Sequence, residues 1–328
     1  MNIRERIEKR EHQILSPYAA KSSESSGRFS PDTVDPIRTC YAIDRDRILH
    51  SFSFRKEKDK TQVFILPTND HCMNRLTHTL EVAQIAKSIA TALNLNETLT
   101  EAIALGHDTA HTCFGHAGER ALNKLSRYGY THAEETFRRL NTIDNLNLTQ
   151  EVLDGMKKHS GLSNNPNAIT LEGQIIPFAD KIAYLTSDFE NAIDMGIISA
   201  LPERVKKNLG ATKGKIIDTL VTSIIITSMD KPFIKMDDTI YEEMVYFREF
   251  AFSEIYHNKV LLEENKKAEH IIEHLFGYYM KNPWKMNMDE LTGDSDIERI
   301  ITDYIAGMTD TFALNEYEKH FSIIRRYF

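Results

Sequence analysis

Apolar residues recur at helical spacing along most of this sequence. Residues 75–94 carry a stripe that includes Leu76, Leu80, Ala83 and Ile89, which is the three-to-four-residue repeat of an amphipathic helix. The same repeat predicts further helices at 3–15, 171–195, 260–280 and 299–312. Another helix is predicted to begin near Thr98 and to run into His107-Asp108. The pattern therefore predicts an all-α fold.

One stretch departs from the helical repeat. Residues 61–67 read Thr-Gln-Val-Phe-Ile-Leu-Pro, a β-branched and apolar run that is typical of a short strand or of the end of a loop. We therefore expect a small β-hairpin near residues 50–66. No Pro/Gly-rich linker and no internal repeat divides the sequence, so a single domain is predicted over residues 1–328.

Composition and charge narrow the class of protein. Hydrophobic residues make up 41% and charged residues 27% of the chain, which are globular proportions. No apolar run approaches the ~20 residues that a membrane span needs, and Met1–Arg6 lacks the apolar core of a secretory signal. We therefore expect a cytoplasmic protein that has no membrane partner. The formal net charge of −8 argues against nucleic acid as the main partner.

Candidate chemistry is concentrated at residues 103–122. This stretch contains three histidines and two carboxylates, namely His107, Asp108, His111, His116 and Glu119. The offsets His107 to His111 and His116 to Glu119 are each about one helical turn, so each pair can face one side. Imidazole and carboxylate groups bind metal ions when other segments add ligands. A helix end with surface histidines is the alternative interpretation.

The predicted helix at 171–195 carries a second set of polar residues. Asp180, Tyr184 and Asp188 lie at i, i+4 and i+8, with Lys181 beside them. The opposite positions are apolar, so this polar row would either face solvent as ordinary surface charge or line a wet cavity.

Together these motifs resemble one family. The order His78, His107-Asp108, Asp180 resembles the H…HD…D ligand pattern of HD-domain phosphohydrolases. Longer strings are similar to the deoxynucleoside triphosphate triphosphohydrolase branch, the dGTPase-like enzymes. The strings are DRDRI at 44–48, KTQVF at 60–64, RLTHTLEV at 75–82, FGHAGE at 114–119, EGQI at 172–175, ADKIAY at 179–184 and DYIAGMTD at 303–310. The resemblance covers residues 38–310.

This resemblance implies a fold, a reaction and roles for particular residues. The fold would be the all-α HD-domain fold, with an HD core at about 60–195 and a C-terminal helical part at 196–328. The reaction would convert a dNTP into the deoxynucleoside and inorganic tripolyphosphate, in a homo-oligomer that a nucleotide can regulate. The implied metal ligands are His78, His107, Asp108 and Asp180. The implied catalytic group is His116 with Glu119, together with His111 and His132 near the phosphates. The implied substrate contacts are Gln62, Arg75, Lys181, Tyr184 and Asp188.

The sequence departs from the family pattern at three positions. Ala110 stands where the family usually has Gly, Cys113 where it has Pro, and Ala133 where it has a polar residue. These departures leave the implied ligands intact. Residues 201–290 match only loosely, so base specificity cannot be carried over.

The implied ligand set bears on the identity of the metal ion. Two imidazoles with two carboxylates suit Mn, Fe, Co or Ni, and we favour Mn; Mg is also compatible, although imidazole is a poor ligand for it.

Two alternative functions stay open. One is an HD phosphohydrolase acting on nucleoside monophosphates or cyclic dinucleotides. The other is a regulatory protein that binds dNTPs or nucleic acid and has a weak HD site.

Overall fold

The computed structural model describes residues 1–67, 69–161, 163–286 and 296–321. Within these ranges the chain folds into α-helices joined by turns, and no strand is formed. The α-helices are α1 Ile3–Ile14, α2 Cys40–His50, α3 Phe52–Lys56, α4 Arg75–Ala92, α5 Glu97–Gly106, α6 Gly115–Leu125, α7 His132–Phe137, α8 Gln150–Lys157, α9 Leu171–Asp194, α10 Glu203–Asn208, α11 Lys213–Ser228, α12 Asp238–Ala251, α13 Lys259–Lys281, α14 Ile297–Ala306 and α15 Asp310–Phe321. The predicted all-α fold is confirmed, and none of the described helices is long and apolar enough to span a membrane.

The prediction of a β-hairpin near residues 50–66 is wrong. Ser51 caps α3 by accepting a hydrogen bond from the Phe54 amide, and the described part of the apolar run at 61–67 is irregular apart from a single bridge between Thr61 and Asn74. The Thr61 amide donates to a carboxylate oxygen of Asp310, and the Thr61 carbonyl accepts from Arg75. Side chains therefore satisfy backbone groups that a partner strand would otherwise have bound.

Two predicted helix boundaries also differ from the structure. The helix predicted near Thr98 begins at Glu97, because the Asn96 side chain accepts from the Leu99 amide and caps it. The helix predicted at 299–312 is divided into α14 and α15, with Gly307 as the C-cap of α14.

The larger hydrophobic core lies between α4, α5 and α9, with α2 and α8 packed on α5. Ile85, Ile89, Leu99, Ile103 and Ile182 are all fully buried there or nearly so. The stripe on α4 faces this core except for Leu80, which is 50% exposed. Because α4, α5 and α9 pack side by side, polar residues at neighbouring positions of the three helices can meet.

A second core joins α6 to the C-terminal helices α13, α14 and α15. Cys113 and Phe114, which precede α6, are buried against Ile301, Ile305 and other apolar side chains of this core. The start of α6 is thereby fixed between the two cores.

Candidate active site

Three helices bring the four predicted metal ligands together. His78 lies on α4, His107 and Asp108 follow the end of α5, and Asp180 lies on α9. His78 Nε2 is 3.1 Å from Asp180 Oδ1 and 3.7 Å from Asp108 Oδ2. His107 Nε2 is 3.9 Å from Asp180 Oδ1 and 3.7 Å from Asp108 Oδ1. Ligand atoms that are each ~2.1 Å from one ion lie about 3–4 Å apart. His78, His107 and Asp108 therefore fit one coordination shell, and Asp180 lies next to both histidines.

The hydrogen bonding of the imidazoles also fits a metal ion. His107 Nδ1 donates to the Ala104 carbonyl at 2.7 Å, which leaves the His107 Nε2 lone pair directed at the carboxylates. This Nε2 and the Nδ1 of His78 are buried and have no hydrogen-bond partner among the described residues, and His78 Nε2 faces Asp180 Oδ1 at 3.1 Å without the angles of a hydrogen bond. A carbonyl on the far nitrogen is the usual support of a metal-binding histidine, whereas unpartnered buried nitrogens cost about 1–3 kcal/mol each. His78, His107 and Asp108 can therefore hold a divalent metal ion.

Arg75 lies directly against this cluster. Arg75 is only 1% exposed, and its guanidinium forms an ion pair with Asp108 Oδ2. Burial raises the pKa of Asp108, yet the neighbouring His107 and the positive charge of Arg75 hold it well below its usual value. Arg75, which the resemblance assigns to the triphosphate, thus also supports a candidate metal ligand.

The turn before α6 depends on a distant carboxylate. Phe114 has φ +60° and Gly115 has φ +54°, the left-handed region that phenylalanine rarely adopts. The Phe114 amide donates to Asp310 Oδ1 at 2.7 Å, and Asp310 Oδ2 accepts from the Thr61 amide at 3.0 Å. Asp310 of α15 therefore holds the turn that directs α6.

A second polar cluster lies beside the first, on α6 and α7. Glu119 Oε2 accepts from His116 Nδ1 at 2.9 Å, and Glu119 Oε1 accepts from the amide and from Nδ1 of His132, both at 2.9 Å. Burial raises the pKa of Glu119, but the hydrogen bonds from His116 and His132 hold it well below its usual value. The His116 side chain is 64% exposed, whereas that of His132 is 12% exposed. His111 stacks on His132 with ring centroids 3.8 Å apart.

His159 joins the two clusters. Its ring is buried, and its Nε2 is 3.2 Å from His132 Nε2 and 3.7 Å from Asp108 Oδ1. Burial, together with the neighbouring His107 and His132, lowers the pKa of His159 to about 3.

Both clusters open into one cavity of about 790 Å³. The predicted site residues that line it are Gln62, Arg75, Asp108, His111, His116, Glu119, His132, Asp180, Lys181, Tyr184 and Asp188. The remaining predicted residues, His78 and His107, lie behind Asp108 and Asp180 and are fully buried. The cavity is large enough for a nucleotide-sized molecule.

The polar row of α9 forms one wall of the cavity. Asp188 Oδ2 accepts from the Tyr256 hydroxyl at 2.7 Å, whereas Asp188 Oδ1 has no hydrogen-bond partner among the described residues. Burial raises the pKa of Asp188 to about 7, against the lowering effect of the Tyr256 hydrogen bond. Lys181 is buried, and its Nζ donates to the Pro177 carbonyl at 2.9 Å. This wall therefore presents one oxygen of Asp188 that has no hydrogen-bond partner among the described residues.

Comparison with known proteins places this geometry in a family. Residues 75–185 match the HD domain, and residues 234–319 match the phosphohydrolase-associated domain. A deoxyguanosinetriphosphate triphosphohydrolase-like protein of Caldanaerobacter subterraneus is 47% identical, over 98% of this chain and 96% of its own. A protein of Clostridium perfringens that is described in the same words is 45% identical, over 97% of this chain and 97% of its own. Another, of Desulfatibacillum aliphaticivorans, is 40% identical, over 98% of each chain.

This chain belongs to the deoxyguanosinetriphosphate triphosphohydrolase-like family. Its HD domain, matched at 75–185, contains both polar clusters, whereas the predicted site residues Gln62 and Asp188 lie just before and just after the match. The phosphohydrolase-associated domain adds the far wall of the cavity, which includes Arg248, Phe252 and Tyr256.

Sequence reasoning missed four residues of this HD-family site. His159 belongs to the histidine-rich part of the chain, where seven of the 13 histidines lie between His71 and His159, and that density was its only signal. Asp310 is the last residue of the DYIAGMTD string, so the resemblance included this residue but implied no role for it. Arg248 and Tyr256 lie on a helical stretch with ordinary composition, and no local pattern distinguishes them.

Proposed function

We propose that this protein hydrolyses deoxynucleoside triphosphates to the deoxynucleoside and inorganic tripolyphosphate. The observation that carries the proposal is one cavity in which a cluster able to hold a metal ion adjoins the hydrogen-bonded series His116, Glu119, His132. The relatives are described as deoxyguanosinetriphosphate triphosphohydrolase-like proteins over nearly their whole length, which supports this substrate class.

His78, His107, Asp108 and Asp180 would hold the divalent metal ion. We propose Mn, with Fe, Co, Ni and Mg as the ions to compare, because imidazole and carboxylate ligands suit the first four better than Mg. When bound, such an ion supplies positive charge at a phosphate and lowers the pKa of a coordinated water.

The protein's own residues would move the proton. His116 is the cavity-exposed member of the second cluster, and Glu119 holds its Nδ1. The other nitrogen, Nε2, can therefore exchange a proton with the 5′-oxygen leaving group or with the attacking water. His111 and His132 stack behind it and would contact the phosphates.

The substrate contacts would come from α9 and from the start of α4 with the stretch before it. Arg75 and Lys181 would bring positive charge to the triphosphate, where charge accumulates in the transition state. Asp188 Oδ1, which is buried and lacks a partner among the described residues, can accept a hydrogen bond from the sugar 3′-hydroxyl. Gln62 and Tyr184 would close the sugar pocket.

The whole chain would act as one unit. Residues on both sides of position 196, from Thr61 to Glu269, line the same cavity, so we propose that residues 196–328 complete the site built by the HD core. We also propose a homo-oligomer that a nucleotide can regulate; light scattering with and without dGTP measures its assembly.

The test is a matrix of each dNTP with each of the five metal ions, with separation of tripolyphosphate from pyrophosphate and phosphate. We expect tripolyphosphate from at least one dNTP. His116→Ala should lower turnover ~10²–10⁴-fold with unchanged metal content, whereas His50→Ala, an exposed residue on α2 outside the cavity, should have no effect. Pyrophosphate as the product, or full activity of His116→Ala, would overturn the proposal.

A further inference from the structure

An irregular loop at residues 107–114 joins α5 to α6 and carries His111 to the wall of the cavity. Such a loop lacks the continuous hydrogen bonding of a helix, so other groups must hold its backbone. The carbonyls of Ala110 and His111 accept hydrogen bonds from two side chains that are distant in the sequence, those of Tyr130 and Lys60. The proposed reaction has given neither side chain a role.

Lys60 connects this loop to two helices. It is 3% exposed, and its Nζ donates to the His111 carbonyl and, at 3.2 Å, to the Ala306 carbonyl at the end of α14. The Lys60 carbonyl accepts from the amide of Arg75, the first residue of α4, at 3.1 Å. An amine has at least two N–H groups whether or not it is charged, so both side-chain bonds are available in either state. Lys60 therefore ties the loop to the phosphohydrolase-associated domain.

Tyr130 bonds the neighbouring carbonyl of the same loop. It is 4% exposed and lies two residues before α7, and its hydroxyl donates to the Ala110 carbonyl at 2.5 Å. The Tyr130 backbone is held in turn, because its amide donates to Asn123 Oδ1 of α6 at 2.9 Å. Two consecutive carbonyls of the loop are thus bonded by buried side chains from separate segments.

These two bonds act on the peptide units on either side of the His111 Cα atom. The Ala110 carbonyl belongs to the unit before this atom, and the His111 carbonyl belongs to the unit after it. Each unit is planar and turns as a whole, so it cannot rotate without breaking the bond to its carbonyl. The orientation of the two units determines the direction of the His111 Cα–Cβ bond.

We propose that Lys60 and Tyr130 are positioning residues that together set the direction of the His111 side chain in the cavity. This inference rests on the proposed function, in which His111 contacts the phosphates. The His111 ring stacks on His132 with centroids 3.8 Å apart, so a turn of the His111 backbone would also disturb this stack. Misplacement of a substrate-contacting group by about 1 Å can lower the rate ~10²-fold.

Two other roles of Lys60 would give different results. If Lys60 served only to attach α14, its loss would lower stability and leave turnover intact. If it supported Asp108, which begins the same turn, its loss would lower the amount of bound metal. A shared role with Tyr130 predicts that the two losses are not independent, since residues that act through one element couple.

The experiment compares Lys60→Met, Tyr130→Phe and the double variant with the wild type, below the melting temperature of each. Methionine has a similar length and no donor, and phenylalanine lacks only the hydroxyl. We expect kcat for dGTP to fall ~10–10²-fold in Lys60→Met and by a smaller factor in Tyr130→Phe, with KM and metal content unchanged. The double variant should be no slower than Lys60→Met, because the loop is already released in that variant.

Two controls isolate the bond to the loop. Arg139 is 8% exposed and donates to the Asp303 carbonyl of α14 at 2.8 Å, and no bond from its side chain to the loop occurs in the described part of the chain. Arg139→Met should therefore melt at a lower temperature with kcat unchanged. Lys58 is exposed, and Lys58→Met should change neither quantity.

Hydrogen exchange followed by mass spectrometry tests the loop without any turnover. The His111 amide donates to the Asp108 carbonyl at 3.0 Å. Peptides that cover residues 107–114 should exchange faster in Lys60→Met and in Tyr130→Phe than in the wild type, and at the wild-type rate in Arg139→Met.

The outcomes are separable. A wild type that releases no tripolyphosphate refutes the proposed function, and hydrogen exchange still tests whether Lys60 and Tyr130 hold the loop. An active wild type with an equally active Lys60→Met refutes the positioning role, and if that variant fails to fold, full activity of Tyr130→Phe does so. Reduced metal content in either variant would assign the bonds to Asp108 and overturn the proposal. Losses that multiply in the double variant would also overturn it.

Discussion

Gly118 offers a sharp test of how closely α6 must approach the preceding turn. It lies between His116 and Glu119, and a Cβ atom placed there would be 2.1 Å from the Cys113 carbonyl oxygen and 2.6 Å from Thr112 Oγ1. Ordinary contacts of a Cβ atom begin near 3.4 Å, so Gly118→Ala must separate the helix from the backbone of the turn by roughly 1 Å.

The effect of this displacement can be estimated. Overpacking of this kind costs about 1–3 kcal/mol of unfolding free energy. A misplacement of about 1 Å in a catalytic group can lower the rate ~10²-fold, and the shift acts directly on His116 and Glu119. We therefore expect Gly118→Ala to fold, to melt at a lower temperature and to hydrolyse dGTP ~10²-fold more slowly.

The assay pairs steady-state kinetics with thermal unfolding followed by circular dichroism. Gly277→Ala is the matched control, because Gly277 is also within a helix, α13, and a Cβ there would have nothing within 4 Å. The control should keep its activity and gain up to about 1 kcal/mol of stability. If Gly118→Ala were as active and as stable as Gly277→Ala, the described packing of α6 on the turn would be refuted.

Three further predictions concern stability, specificity and metal binding. Burial raises the pKa of Glu172 to about 7, so the folded state retains a proton that the unfolded state releases, and stability falls as the pH rises from about 4.5 to 7. The free energy of unfolding of Glu172→Gln, measured in urea, should rise relative to that of the wild type by on the order of 3 kcal/mol between about pH 5 and pH 8. A difference between the two proteins that stays constant over this pH range would contradict the prediction. Wild type should hydrolyse dGTP ~10–100-fold faster than GTP, and Tyr184→Ala should narrow that ratio; an unchanged ratio excludes the role of Tyr184. Asp180→Ala should lose most of its bound metal in elemental analysis while its circular dichroism stays helical, and full metal content would remove Asp180 from the ligand set.

The elements that could be predicted from sequence are those determined by local patterns. The stripe on α4 predicted its extent to within two residues, because burial against α5 and α9 follows from the helical repeat. The candidate ligands His78, His107, Asp108 and Asp180 could be named because a known ligand order spans three separated segments. Their convergence to distances of 3.1–3.9 Å required the packing of α4, α5 and α9.

The features that could not be predicted depend on contacts between distant residues. The run Thr61–Leu66 has the composition of a strand, but Asp310, 249 positions away, binds the Thr61 amide. His132 and His159 face each other across 27 positions because α7 and α8 pack together. Neither contact has a periodic signal, so only the fold reveals that Asp310 supports the α6 turn and that His159 adjoins the site.

The reaction itself is tested most directly by hydrolysing dGTP in ¹⁸O-labelled water and determining the masses of both products. Attack of water on the α-phosphorus with release of the 5′-oxygen predicts one ¹⁸O atom in tripolyphosphate and none in deoxyguanosine. Unlabelled tripolyphosphate with labelled deoxyguanosine would place the attack on carbon, and dGMP with labelled pyrophosphate would place it on another phosphorus. Either result would contradict the proposed function.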